Sequence, residues 1–244
     1  MINLPIEKLL FIDIETVGIE SSYDELLKSN NKLASLFEHY ESWFKKRFPE
    51  DENLSLNEMF KIRTALVPEF AKIVCVCMGL VDSSGKFKTT VISDTDEKKL
   101  LENVRKTLIK CGEMGYWLCG HNVKNFDIPM IGKRMVINGL LPPKILPSYD
   151  TKPWEIKAVD TRDVWQFGQY ASISTLDLMC GVLGIPSPKS EEMDGSRVHE
   201  VFWNEKNYDK INKYCEKDVY STKKRYSYRS STFSTLYQKC TTSN

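Results

Sequence analysis

The stretch FIDIETVG, residues 11–18, sets two carboxylates, Asp13 and Glu15, among four apolar residues, Phe11, Ile12, Ile14 and Val17. With Leu9 and Leu10 ahead of it, the run reads as a buried strand over Leu9–Ile14. Residues two apart on a strand point to one face, so the two acids stand side by side. Two buried like charges repel and lose hydration, which destabilises the fold unless they are paired. A hard divalent cation, Mg²⁺ or Mn²⁺, resolves both costs, because it prefers carboxylate oxygens and keeps waters for a substrate. The alternative is a strand end with two solvated acids, and a D-x-E spacing alone does not separate the two.

The flanking sequence indicates what surrounds this strand. Residues 20–62 have helical periodicity with mixed charges, so a helical insertion over 20–68 is expected directly after the first strand. KIVCVCMGLV, residues 72–81, is β-branched and apolar and reads as a central strand. After the turn residues SSG, KFKTTVIS alternates as a hairpin partner. Asp94 or Thr95 can cap a helix over 96–111. YWLC then forms a short strand, followed by a helix over 126–138 that Gly139 and Pro142-Pro143 end. Residues 142–157 are a Pro-rich loop, and helices are expected at 161–168, 174–183, 194–203 and 207–229. Strands in a meander, one strand-to-helix crossover and then helices make an α/β fold with a mixed sheet. The expected organisation is one domain over 1–230 and a C-terminal tail, 231–244, with its last residues frayed.

Two further segments hold acids. In GHNVKNFDIPMI, residues 120–131, Asp127 sits where the helix dipole favours a carboxylate. It is either an early-turn acid behind a cap at Asn122 or Asn125, or a ligand at the strand-to-helix switch where α/β folds bind. In YCEKDVYST, residues 214–222, Tyr214 and Asp218 are four apart and share one helix face. They are either a surface pair or a metal-binding acid with a phenol beside it.

Taken in order, FIDIETVG, GHNVKNFDIPMI and YCEKDVYST resemble the three motifs of the DEDD superfamily of 3′–5′ exonucleases, in the subclass with a tyrosine. The chain is most similar to the proofreading exonuclease domain of family-B DNA polymerases and its stand-alone bacterial relatives. PEFAKIVCVCMGLV, DTRDVWQFG and GIPSPKSEEMDGS extend the likeness to residues 8–228. It implies an RNase H-like fold and two divalent cations, Mg²⁺ or Mn²⁺, about 3.5–4 Å apart. It further implies that Asp13 bridges the ions, Glu15 and Asp218 hold the one that binds the attacking water, and Asp127 helps hold the other through a water. Tyr214 would orient that water, since a phenol with a pKa near 10 is a poor base at neutral pH. Thr16, Asn122 and Phe126 would contact the terminal nucleotides, Phe126 by stacking. Phe126 as plain core is the alternative.

The implied partner is nucleic acid with a free 3′ end, single-stranded DNA ahead of RNA, cut to nucleoside 5′-monophosphates. An exoribonuclease would show the same metal site, and a catalytically dead binding module would be indifferent to metal. Two features depart from the polymerase pattern: His121 in the second motif, and the length of the 20–68 stretch, which is expected to wall the substrate groove. No polymerase domain follows, so the chain is not expected to proofread synthesis of its own. His199 lies too far upstream of Asp218 to replace the tyrosine and is expected to be structural.

Composition agrees with a globular protein without naming a partner. The 244 residues are 41% hydrophobic and 27% charged, with 34 basic against 33 acidic residues. Nucleic-acid contacts would need local basic runs, and Lys133-Arg134 and Lys223-Lys224-Arg225 are the possibilities beside the alternative of solvated helix faces. Seven scattered cysteines without a C-x-x-C pair read as reduced, buried thiols, with no zinc site and a cytoplasmic location expected. The longest apolar run, 73–81, falls short of the roughly 20 residues that span a bilayer, and the N-terminus lacks a signal-peptide pattern.

Overall fold

The structure is a computed structural model that describes residues 4–166, 169, 175–187, 189 and 193–241, with 228–241 by backbone alone. Five strands form one mixed sheet in the order β3-β2-β1-β4-β5: β1 Leu9–Gly18, β2 Ala71–Val81, β3 Phe87–Ser93, β4 Trp117–Gly120 and β5 Ala158–Asp160. β1, β2 and β3 run as an antiparallel meander, while β4 lies parallel to β1 and β5 parallel to β4. The strand carrying the two acids is therefore central, and it is four residues longer than its apolar run suggests.

The pleat of β1 sorts its side chains. Leu10, Ile12 and Ile14 join a core with Leu100, Leu101 and Val104 of helix α4, Glu97–Glu113, and Ile128 and Ile131 of helix α5, Asp127–Ile137. Leu9 and Phe11 point the other way, into a core with Ile211, Cys215 and Val219 of the long helix α9, Tyr208–Thr241. Period-two alternation then carries Asp13 and Glu15 onto the α9 face. Cys75 and Cys77 of β2 stand opposite them, in register with Glu15 and Asp13, and the pairing shifts between Glu15 and Thr16. This is the RNase H-like sheet flanked by helices that the three motifs imply.

The insertion after β1 consists of α1 Tyr23–Ser29, α2 Asn31–Arg47 and α3 Leu56–Arg63, with a 3-10 turn at Thr64–Leu66. Each helix begins where its sequence allows: the side chains of Ser22, Asn30 and Ser55 accept from the first-turn amides, and Glu58 completes a capping box. Its core is largely aromatic, with Phe37 touching Tyr23, Phe44, Phe60 and Phe70 at ring separations of 5.2–6.0 Å. Buried Glu97 fastens the far end. It accepts from Ile73 N at 2.7 Å, Asn138 Nδ2 at 2.9 Å and Arg134 Nε at 2.9 Å, while Arg134 Nη1 donates to Pro68 O at 3.0 Å.

Several expectations change. β5 does not show in the sequence, because three residues beside a Pro-rich loop are too few for a period, and it adds a second parallel crossover. Asp96, and neither Asp94 nor Thr95, caps α4, accepting from Lys98 N and Lys99 N. The helix expected at 194–203 is a succession of 3-10 turn Gly195–Arg197, a single α-helical turn α8, Val198–Glu200, and π-turn Val201–Glu205. The final helix continues to Thr241 rather than ending at 229. Helices α6, Thr161–Gln166, and α7, Leu176–Leu183, fall where expected, with the remainder of those ranges (167–168 and 174) outside the described residues. Residues 188 and 190–192 of the GIPSPKSEEMDGS segment and 242–244 of the tail also lie outside the described residues. Six cysteines are free and buried; the side chain of Cys240 is outside the described set. Among the described residues no helix is long and apolar enough to cross a membrane.

Candidate active site

Three elements deliver four carboxylates to one place. β1 brings Asp13 and Glu15, the first turn of α5 brings Asp127, and α9 brings Asp218. Glu15, Asp127 and Asp218 are buried and Asp13 is partly exposed. Their charges act on one another. Burial, then the charges of Asp218, Asp127 and Glu15, push the Asp13 carboxyl well above the usual range. Glu15 is raised the same way, by burial and then by Asp218. Burial lifts Asp127 to about 7, with Asp160 and Asp218 adding to it and the Ile14 backbone drawing it down. Burial likewise lifts Asp218 to about 7, against a hydrogen bond from Tyr214 and the charge of Lys189.

Tyr214 is one turn before Asp218, and its phenol donates to that carboxylate. Burial and the surrounding acids hold the phenol far above its ordinary pKa, so it stays protonated and acts as a donor. The 3-10 turn at Gly195–Arg197 approaches this hydroxyl, since a Cβ on Gly195 would lie 3.9 Å from it.

Cys215 was not legible as a site residue. Its thiol donates to Asp13 O at 3.4 Å and Asp13 Oδ2 at 3.5 Å. Asp13, Glu15 and Cys215 each place a donor atom within 4.8 Å of the others. The signal in the sequence is indirect: Cys215 follows Tyr214 on the buried side of α9, and Cys75 and Cys77 repeat the two-residue spacing of the acids. Asp160 was missed as well. It accepts from the backbone amides of Asn122, Lys124 and Arg162 at 2.8, 3.1 and 2.9 Å. That shapes the turn after β4 and fixes where α5 begins.

Asn122 serves this turn. Its φ is +62°, a conformation that Asn adopts more readily than most residues, and its Oδ1 accepts from Arg162 Nη1 at 3.0 Å. Gly120 just before it permits a close approach, because a Cβ there would meet Ile12 O at 2.9 Å. Thr16 and Phe126 instead line a cleft of about 280 Å³ whose floor is Ile14, Glu15 and Thr16. Lys61, Ile62, Ala65 and Leu66 of the insertion form one wall. Gly195, Ser196 and His199 bound the cleft as well. Thr16 Oγ1 donates to Ala65 O at 2.8 Å, tying floor to wall.

His199 is structural in the expected sense. It accepts from Gly18 N at 3.3 Å through Nδ1 and bonds Ser21 O at 3.0 Å through Nε2, and burial lowers its pKa. The basic runs do not stand ready for phosphate as pairs. Arg134 is buried on Glu97, Lys133 pairs with Glu69 at 3.2 Å, and Arg225 is buried against Thr161 O and His121.

The donor set fits divalent cations of the Mg²⁺ or Mn²⁺ type. Four mutually repelling carboxylates supply hard oxygen ligands, and what lowers their pKa values is a thiol, backbone amides, a phenol and Lys189. Positive charge placed among them relieves the repulsion that holds their protons on.

Residues 64–235 match the family model described as "Predicted 3'-5' exonuclease related to the exonuclease domain of PolB". The fold is similar to that of the family B DNA polymerase from the hyperthermophilic archaeon Pyrobaculum calidifontis, with a TM-score of 0.54 and 16% identity. That likeness covers 89% of this chain and 24% of the polymerase, and at this identity it is one of fold. A comparison with curated proteins gives no match. Since the family match spans well over half of the sequence and holds Asp127, Tyr214 and Asp218, the chain belongs to the family of predicted 3′–5′ exonucleases related to the PolB exonuclease domain.

Proposed function

We propose that the protein is a metal-dependent 3′–5′ exonuclease that hydrolyses single-stranded DNA to nucleoside 5′-monophosphates. The observation that carries this reading is the convergence of Asp13, Glu15, Asp127 and Asp218 around a neutral tyrosine, all four with pKa values raised by burial and the first three also by neighbouring acids. Asp13, Glu15, Asp127 and Asp218 would hold two divalent cations. When bound, such ions lower the pKa of an attacking water and stabilise the leaving 3′ oxygen.

The chain's own residues do the rest. The Tyr214 phenol keeps its proton and is anchored on Asp218, so it orients a water instead of deprotonating it. The Ile14 backbone holds Asp127 beside the β1 acids. Thr16 and Phe126 border the cleft next to Glu15, where the terminal nucleotide would lie. Asn122 supports them from the turn after β4 rather than from the cleft.

The test is digestion of 5′-labelled single-stranded DNA and RNA of one sequence in Mg²⁺ or Mn²⁺, with Asp13→Ala and EDTA controls. A ladder shortening from the 3′ end, absent in both controls and faster on DNA, is the expected result. Faster loss of RNA assigns an exoribonuclease. Intact strands with folded protein leave the binding-module reading.

A further inference from the structure

Helix α2 lies ahead of residue 64, where the family match begins, and none of its residues lines the cleft. Its buried side, Ala34, Phe37 and Phe44, faces the core of the insertion. Beside that side runs a second stripe. Lys32, Leu36, Tyr40, Trp43 and Arg47 follow one another at three or four residues and so share one face. Leu36, Tyr40 and Trp43 are 47%, 47% and 48% exposed, a row of large apolar side chains left in water. The two rings are held from beneath. Tyr40 meets Phe70 at 5.9 Å and Trp43 meets Phe44 at 5.1 Å between ring centres, and they meet each other at 6.3 Å. Both ends of the stripe are exposed cations, whereas the acids of α2 are bonded off it: Glu38 accepts from the Tyr23 phenol, and Glu41 pairs with Lys45 at 2.9 Å.

We propose that this stripe is a second nucleic-acid site, separate from the cleft, on which a single strand stacks bases against Tyr40 and Trp43 and lays phosphates along Lys32 and Arg47. The choice of ligand rests on the exonuclease reading, which supplies an anionic, base-bearing strand, and the two cations complement it. Aromatic faces set between cations are the make-up of sequence-tolerant single-strand binding. A row one side chain wide on a convex helix matches a strand better than the broad patch, roughly 800 Å² per partner, of a protein interface. From Lys32 to Arg47 the helix runs about 22 Å at 1.5 Å per residue. That leaves room for roughly four nucleotides, the short end of single-strand sites. The substrate class that follows is a strand long enough to extend from the cleft onto the insertion.

The test is fluorescence anisotropy in EDTA, which stops digestion, with 5′-labelled oligothymidylates of about 4 and about 20 nucleotides. Wild-type protein is expected to bind the longer strand about tenfold more tightly, the scale of one or two stacked bases. Tyr40→Ala/Trp43→Ala is expected to lose that preference while keeping the Mn²⁺-dependent rise in Tm. Lys32→Gln/Arg47→Gln leaves the rings in place and decides the matter should the aromatic variant melt early. It is expected to flatten the salt dependence of binding to the longer strand by about 1.4 in slope, two phosphate contacts at about 0.7 each. Equal length preference in wild type and both variants overturns the platform and leaves the exonuclease standing. So does a wild-type dimer that the aromatic variant breaks up with DNA binding unchanged, which assigns the stripe to a second copy of the chain. A length preference that the variants lose, in a protein that digests no strand in either metal, upholds the platform and overturns the exonuclease.

Discussion

The Cys215 thiol donates to Asp13 twice, to its carbonyl oxygen at 3.4 Å and to its carboxylate at 3.5 Å. A soft donor thus sits among hard ones, and soft cations favour thiolate. Cd²⁺ is therefore expected to bind with the absorption of a thiolate–metal charge transfer, which Cys215→Ala abolishes. The variant should still gain stability from Mn²⁺ and melt within about 1 kcal/mol of wild type. Unchanged Cd²⁺ absorption in the variant would show that Cys215 is no ligand.

Tyr214→Phe removes the donor on Asp218 and leaves the carboxylates. The expected loss is roughly 10²-fold in kcat, the scale for a misplaced reactant, with Mn²⁺ still raising Tm. Asp218→Asn should lose both activity and much of the Mn²⁺ stabilisation. Calorimetric Mn²⁺ titration of the two variants tells them apart.

The acids also set a pH dependence. Asp127 and Asp218 stand at about 7 in the folded protein against about 3.9 unfolded. Folding favours their protonated forms, so their stabilisation is complete below about pH 4 and is lost as pH rises through 7. His199 works oppositely: its folded pKa is lowered, and its contribution holds above about 6.5 and is lost as pH falls. The slope is cleanest between about pH 6.5 and 8, where Tm in EDTA should fall with pH. Saturating Mn²⁺ should flatten or reverse it. A Tm that rises with pH in EDTA would contradict the shared charge.

Arg134 is 3% exposed and ion-paired with Glu97, which is 8% exposed. Removing one partner of a buried pair leaves the other uncompensated. Arg134→Ala is expected to cost about 3–5 kcal/mol in urea unfolding. A phosphate-contact role would instead raise KM with stability intact.

The sequence made the site more legible than its setting. A strand and two helical segments revealed the acids, because a carboxylate in an apolar run breaks a local rule and strands and helices put fixed spacings on fixed faces. Which face of β1 met α9 needed the alternation of Leu9 and Phe11 against Leu10 and Ile12, resolved only once both cores existed. Asp160 stayed hidden because its meaning lies in three backbone amides, which leave no residue pattern. Arg134 and Arg225 read as surface charge because burial of a long cation depends on partners such as Glu97, 37 positions away. β5 was lost to its brevity, and although the 20–68 stretch was expected to wall a groove, helix periodicity does not say which of its residues face the cleft.

The aromatic cluster of the insertion packs chiefly on itself, around Phe37, and meets the sheet near Phe70 and the strand end at Gly18. The insertion therefore has a core of its own, yet its last turn is fastened to β1 by the Thr16–Ala65 hydrogen bond, so a change at that turn is felt on the strand that carries the acids.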